Sequence, residues 1–242
     1  MVALFVTCLV DSIFPTVAES ATKLLDHLGV SATFHPGQTC CGQPAFNSGY
    51  WADARRMAKH TIAVLEATRG PIICPSGSCS AMIIHGYPEL FRDEADWLAR
   101  VEELAPRIRE LTQFIVDDLG VTDVGAAVDA DVVYHPACHG LRSLGIDRQP
   151  KELLKHVRGV RLLEQDDPET CCGFGGTFSI RMGDISTAML GNRLRAFEAA
   201  EPDIAVTIDV SCMMHLKGGL RKTGSPIDCV HLADLLAAGL DS

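Results

Sequence analysis

The sequence predicts an α/β protein made of two pseudo-repeated β-α-β-α-β halves, each with a parallel sheet and with its cysteines at the carboxyl ends of the strands. Three observations carry that expectation. Cys8, Cys40, Cys41 and Cys79 recur as Cys138, Cys171, Cys172 and Cys212, at offsets of 130, 131, 131 and 133 residues. Short apolar runs lead toward these cysteines, with stretches of helical periodicity between them. The flanks repeat as well: Thr precedes and Gly follows each Cys-Cys pair, and Ser78 and Ser211 precede the last cysteine of each set.

The elements follow in order. Val2 to Thr7 is a strand ending at Cys8, after which Phe14, Val17, Ala18, Ala21, Leu24, Leu25 and Leu28 keep helical spacing until Gly29 stops them. Val30 to His35 is a second strand, with Cys40 and Cys41 beyond its end. Ala54, Met57, Ala58, Thr61, Leu65 and Thr68 form the next helical stripe, and Pro71-Ile72-Ile73 is a third strand leading toward Cys79. Residues 88–127 are charged and predicted to be a helical connector. One stripe there holds Leu98, Val101, Leu104, Ala105 and Ile108, and another Leu111, Phe114, Ile115 and Leu119. The second half repeats the first, with strands at Asp131 to His135, Val160 to Leu163 and Ile204 to Val206, and a helix from about Arg181 to Ala200. The strand-like Cys229-Val230-His231 and a helix from Leu232 to Ala238 close the chain. The expected division is 1–87, 88–127 and 128–242.

Strands alternating with helices imply right-handed crossovers, so the loops after the strands open on one side of the sheet. Each long interval between cysteines spans one crossover helix, which lets widely spaced residues meet at one edge. Four converging thiolates suit either an iron-sulfur cluster or a structural zinc. The repeated cysteines lack the Cys-x2-4-Cys pairs usual for zinc, and adjacent cysteines can serve two irons of one cluster. Gly42, Gly173, Gly175 and Gly176 permit close backbone approach to such an anion.

Two cysteines fall outside the repeat. Cys229 is read as a small buried hydrophobe. Cys74 ends the third strand and is a possible accessory thiolate for the first site, but its counterpart at an offset of 132 is Val206. His135, His139 and His215 flank cysteines and are read as satisfied polar residues rather than ligands.

With 242 residues, 47% of them hydrophobic, the chain can bury a core. A net charge of -10 argues against a nucleic-acid partner. No apolar run reaches the roughly 18–20 residues of a membrane span, and the first residues lack signal-peptide features, so the expected location is the cytoplasm. Ten cysteines in a reducing compartment point to metal, cluster or redox chemistry rather than disulfides. No Gly-x-Gly-x-x-Gly fingerprint or P-loop is present, so no nucleotide or flavin site is expected.

The strings Leu4-Phe5-Val6-Thr7-Cys8-Leu9-Val10-Asp11, Cys40-Cys41-Gly42-Gln43-Pro44-Ala45-Phe46-Asn47-Ser48-Gly49-Tyr50, Pro75-Ser76-Gly77-Ser78-Cys79 and Cys171-Cys172-Gly173-Phe174-Gly175-Gly176-Thr177-Phe178-Ser179 carry a resemblance over essentially the whole chain. They resemble the CCG domains of heterodisulfide reductase and of the glycolate oxidase iron-sulfur subunit, and more closely the lactate utilization protein A family. The resemblance implies an iron-sulfur electron-transfer subunit acting with two partner subunits in the oxidation of L-lactate to pyruvate, and not a complete oxidoreductase by itself. It also implies that Cys8, Cys40, Cys41 and Cys79, and separately Cys138, Cys171, Cys172 and Cys212, hold one or two clusters of the 4Fe-4S type. The heterodisulfide reductase relatives end each motif in Cys-x-x-Cys, whereas this chain has single cysteines, Cys79 and Cys212, at those places. Two other functions fit the residues: thiol-disulfide reduction, and a zinc-stabilised protein that only docks others.

Overall fold

Val2, Ala3 and Leu4 are all buried, as a parallel strand covered on both faces must be. In the computed structural model, which describes residues 1–240 and so leaves 241 and 242 of the second half outside the described residues, they form β1 (Val2–Leu4). α1 (Cys8–Ser12), α2 (Thr16–His27) and β2 (Ala32–Phe34) come next. α2 buries Val17, Ala21, Leu24 and Leu25 along one stripe. It ends where Gly29 adopts φ +73°, and the Val30 N–H reaches back to the Leu25 carbonyl at 2.8 Å.

α3 (Gln43–Asn47) and α4 (Trp51–Glu66) lead to β3 (Ile72–Cys74) and α5 (Gly77–Ala81), which continues through a π-helical turn, Met82–Gly86, into α6 (Tyr87–Phe91). α7 (Ala95–Leu104), β4 (Ile108–Glu110) and α8 (Leu111–Gln113) complete the first half. The second half runs β5 (Ala127–His135), a π-helical turn at His139–Ser143, α9 (Arg148–His156), β6 (Arg158–Leu162), α10 (Phe178–Arg181), α11 (Gly183–Ala200), β7 (Ile204–Thr207), α12 (Val210–Thr223), β8 (Asp228–His231) and α13 (Leu232–Gly239).

All strand pairs are parallel, in the orders β2-β1-β3-β4 and β6-β5-β7-β8. The α/β reading and the repeat therefore hold, with a fourth strand added to each β-α-β-α-β unit. β4 corrects the helical expectation for Ile108. Pro106 sits in the tight turn Ala105–Arg107 that ends α7, because it lacks the N–H that a continuing helix needs, and Ile108 then pairs with Ile72.

Register also corrects the counterpart of Cys74. Leu4 pairs with Ile73 and Tyr134 with Val206, so Ile73 corresponds to Val206 and Cys74 to Thr207.

The halves share a central apolar layer in which Leu4, Leu24, Leu25 and Ile73 meet Val132, Tyr134, Leu232 and Leu236. Within it α2 lies along α13, where the Ser20 hydroxyl donates to Asp234 at 2.7 Å and Lys23 Nζ donates to the Ala237 carbonyl at 3.0 Å. The outer face of each sheet has its own core, around Phe5, Ile62 and Phe91 in the first half and Val133, Phe197 and Leu216 in the second. This arrangement turns the carboxyl ends of β1 and β3 toward those of β5 and β7. No helix among the described residues is long and apolar enough to cross a membrane.

Candidate metal centre

Each repeated cysteine sits just beyond a strand. Cys8 opens α1, Cys40 and Cys41 precede α3, and Cys79 lies in the first turn of α5. In the second half Cys138 precedes the π-helical turn, Cys171 and Cys172 follow β6, and Cys212 lies in the first turn of α12. All eight line one cavity of about 420 Å³ between the halves. In each set the thiols form a chain: Cys8 to Cys40 to Cys41 to Cys79, with 3.3 Å between the last two sulfurs, and Cys138 to Cys171 to Cys172 to Cys212, with 3.0 Å. Burial matches position by position, with Cys41, Cys79, Cys172 and Cys212 buried and the other four partly exposed.

Hydrogen bonds from Cys41 and then Cys8 hold the Cys40 thiol down at about 3, and those from Cys138 and then Cys172 hold Cys171 at about 2. The thiols that donate are pushed up: Cys8 by its bond to Cys40 and by burial, Cys138 by its bond to Cys171 and by burial. Each set thus keeps one thiolate on shared protons. Removing the remaining protons would bring like charges together in a half-buried site, and only a cation among them relieves that repulsion. The donor sets are therefore compatible with metal binding and fit a thiophilic metal or an iron-sulfur cluster.

Glycine shapes both sites. The Gly173 N–H donates to Cys171 Sγ at 3.4 Å, and Gly42 donates to Cys40 in the same way. The turn requires φ of +88° and +87° at these glycines. A Cβ on Gly173 would lie 2.7 Å from the Ser186 carbonyl oxygen, and one on Gly42 3.3 Å from that of Ala54.

Sequence reading missed Asp209. This fully buried carboxylate caps α12, accepting from the Ser211 N–H at 3.1 Å. Its other oxygen crosses to the first half, accepting from the Ser78 N–H at 2.8 Å and the Ser76 hydroxyl at 3.1 Å. Ser76 caps α5, accepting from the Cys79 N–H at 3.4 Å. One carboxylate thus fixes the start of both helices that carry the last cysteine of a set. Burial opposes its charge, yet the Ser211 and Ser78 hydrogen bonds prevail and hold it below the usual carboxylate range. The signal was present in sequence, since Asp209 and Ser76 both stand three residues before a terminal cysteine and both are good N-caps. Gln43 also spans the halves, donating to the Ser78 carbonyl at 3.0 Å and lying 3.5 Å from His139 Nε2.

The three histidines differ. His139 has Cys138 Sγ 3.7 Å from Nδ1, and His215 Nε2 lies 3.3 Å from the Ser186 hydroxyl. His135 is not the satisfied polar residue expected: it is buried, and neither ring nitrogen has a hydrogen-bond partner among the described residues. Burial, reinforced by Arg193, lowers it to about 4, so it is neutral. One of its nitrogens, Cys172 Sγ and Cys212 Sγ all lie within 4.8 Å of one another. Cys74 and Cys229 are completely buried. Cys74 Sγ lies 3.5 Å from the Ser76 carbonyl, and Cys229 packs in the outer core of the second half.

Comparison with known proteins gives a consistent picture. The model of the cysteine-rich CCG domain matches residues 2–84 and 132–217, one copy in each half. The chain is 45% identical over 240 residues to lactate utilization protein A of Exiguobacterium sp. AT1b, covering 99% of this chain and 98% of that protein. It is 43% identical over 235 residues to lactate utilization protein A of Anoxybacillus flavithermus, covering 97% and 98%. Among solved structures, a hypothetical protein from Helicobacter pylori superposes with a TM-score of 0.67 at 12% identity, over 100% of this chain. This chain spans 49% of that one, and the likeness is one of fold.

Proposed function

Since the chain belongs to the lactate utilization protein A family of CCG proteins, we propose that it is an iron-sulfur electron-transfer subunit of a complex that oxidises L-lactate to pyruvate. The reading rests on one observation above all: two quartets of cysteine converge on a single cleft between the halves. Cys8, Cys40, Cys41 and Cys79 would hold one 4Fe-4S centre, and Cys138, Cys171, Cys172 and Cys212 a second. Bound there, such a centre supplies one-electron storage, which a chain of amino acids lacks.

The protein's own part is ligation and orientation. The low Cys40 and Cys171 thiols provide a ready thiolate in each quartet, the N–H groups of Gly42 and Gly173 donate toward sulfur, and Asp209 holds the two terminal cysteines in register. The substrate carbon chemistry would belong to a partner, and the family name supports a multi-protein lactate system; a cytoplasmic complex with two further subunits is part of this proposal.

Iron, sulfide and zinc content, with visible and EPR spectra on protein purified and reconstituted without oxygen, tests the reading. Iron and sulfide near four or eight per chain with a reducible signal are expected. Zinc in place of iron would remove the electron-transfer function and leave a docking protein.

A second reading has one observation in its favour. Cys40 and Cys171 are partly exposed thiols held below the usual range, so each offers the ionised sulfur that attack on a disulfide needs. It predicts turnover of a small disulfide by the isolated chain with a dithiol reductant, and no such turnover is expected if the quartets serve only as ligands.

A further inference from the structure

The two quartets match in sulfur pairing and burial but not in what lies behind them. Just beyond β1 stands Phe5, completely buried in the outer core of the first half, which also holds Cys41 and Cys79. At the corresponding end of β5 stands His135. Its ring meets Phe197 edge-on, with centroids 6.5 Å apart, and so shares the outer core of the second half on one side. The side toward the cysteines brings a ring nitrogen, Cys172 Sγ and Cys212 Sγ within 4.8 Å of one another.

We propose that His135 is an imidazole ligand of the second centre, beside Cys172 and Cys212, so that this centre is bound by mixed nitrogen and sulfur donors while the first is bound by thiolates alone. The inference rests on the metal-binding reading above. A buried imidazole must place a lone pair and an N–H, and here neither nitrogen has a partner among the described residues. Nothing in packing demands a polar ring at this position, because phenylalanine fills the same place in the first half. Imidazole and thiolate are also both good donors for iron and zinc. A neutral imidazole adds no charge beside the Cys172 and Cys212 thiolates, whereas a thiolate in its place would add negative charge and lower the potential of the centre.

The test uses full-length chain carrying Cys40→Ser and Cys41→Ser, so that the second site alone reports, reconstituted anaerobically with ferrous iron and sulfide. Histidine is labelled with 15N, and pulsed EPR on the reduced protein reads nitrogen hyperfine coupling. Expected is a strongly coupled nitrogen that disappears in His135→Phe and in His135→Cys, with the second variant keeping its iron. The midpoint potential should fall in His135→Cys. Iron-loaded protein without a strongly coupled nitrogen, or a His135→Cys spectrum and potential equal to the parent's, overturns the assignment. If the chain takes up zinc and no iron, the iron-sulfur reading fails by itself. His135 is then judged at the zinc absorption edge, where nitrogen beside sulfur in the coordination shell supports the proposal and sulfur alone overturns it.

Discussion

The first and second cysteine quartets share strand positions, sulfur chains and burial, yet the residues around them have diverged. Phe5 stands opposite His135, Cys74 opposite Thr207, and Ser76 opposite Asp209. At the ends of the outer strands, Cys74 pairs with Glu110 and Thr207 with His231, so these two also correspond. Each caps the helix that follows, Glu110 through the Thr112 N–H at 2.8 Å and His231 through the Ala233 N–H at 3.1 Å. The difference teaches that donor atoms and backbone turns are constrained in both copies, while charge and polarity behind them are free to separate the two sites.

The strongest way to break the comparison is to remove one set of donors. Under the proposed function, Cys171→Ser loses the second centre and spares the first, Cys40→Ser does the reverse, and each lowers iron to about half by direct assay. Equal loss of both centres from either variant would sink the two-site description. Asp209→Ala strikes both sets together. It strips a cap from α12 and leaves Ser76 and Ser78 with unanswered donors, so chemical denaturation should show a loss of about 4 kcal/mol, against nearly none for an exposed carboxylate such as Asp53.

The glycines sharpen the comparison more finely. Gly173→Ala should cost about 3 kcal/mol, since its Cβ would meet a backbone oxygen at 2.7 Å, and Gly42→Ala about 1–2 kcal/mol, with 3.3 Å to the nearest atom. Equal melting temperatures for the two variants would show that the turns are not under different constraint.

The smallest effects concern pH, and here the halves oppose one another. Burial raises the Glu110 carboxyl from 4.5 to about 7, so the folded chain holds that proton more tightly than the unfolded one, and stability falls as pH climbs through this window. Burial lowers His231, so the unfolded chain takes its proton first, and stability falls as pH drops below about 6.5. Glu110→Gln should therefore stabilise by about 1 kcal/mol at pH 7 and above and flatten the fall in stability between about pH 4.5 and 7. His231→Asn should flatten the acid limb instead. An unchanged slope between about pH 4.5 and 7 in Glu110→Gln would mean that the carboxyl is not held protonated in the folded chain.

Much of this architecture is legible in the residues because the cysteine offsets and the switch between strand and helix periodicity are independent signals that agree. β4 was hidden because a three-residue strand has no period of its own, and Ile108 fits a helical stripe equally well until Pro106 is weighed. The counterpart of Cys74 slipped by one residue because the offset between halves grows from 130 to 133 along the chain, and a single offset cannot track it. Asp209 and His135 escaped for another reason. The N-cap position of Asp209 is legible locally, but its reach to Ser76 and Ser78, and the lack of partners at His135 among the described residues, span long distances in the chain and have no local pattern. Where metal chemistry was concerned, thiol type and spacing were enough to bring forward the eight cysteines that meet in the cleft.

Asp209 bears on the history written into such a chain. A symmetric dimer of one half would set like against like across the axis, either two carboxylates facing each other or two hydroxyls. A pairing of one acid with one alcohol is open only to a molecule whose halves differ. Once the halves differ in this way, drawing them apart would strand a buried anion on one side and bare donors on the other, so neither half is self-sufficient at this seam.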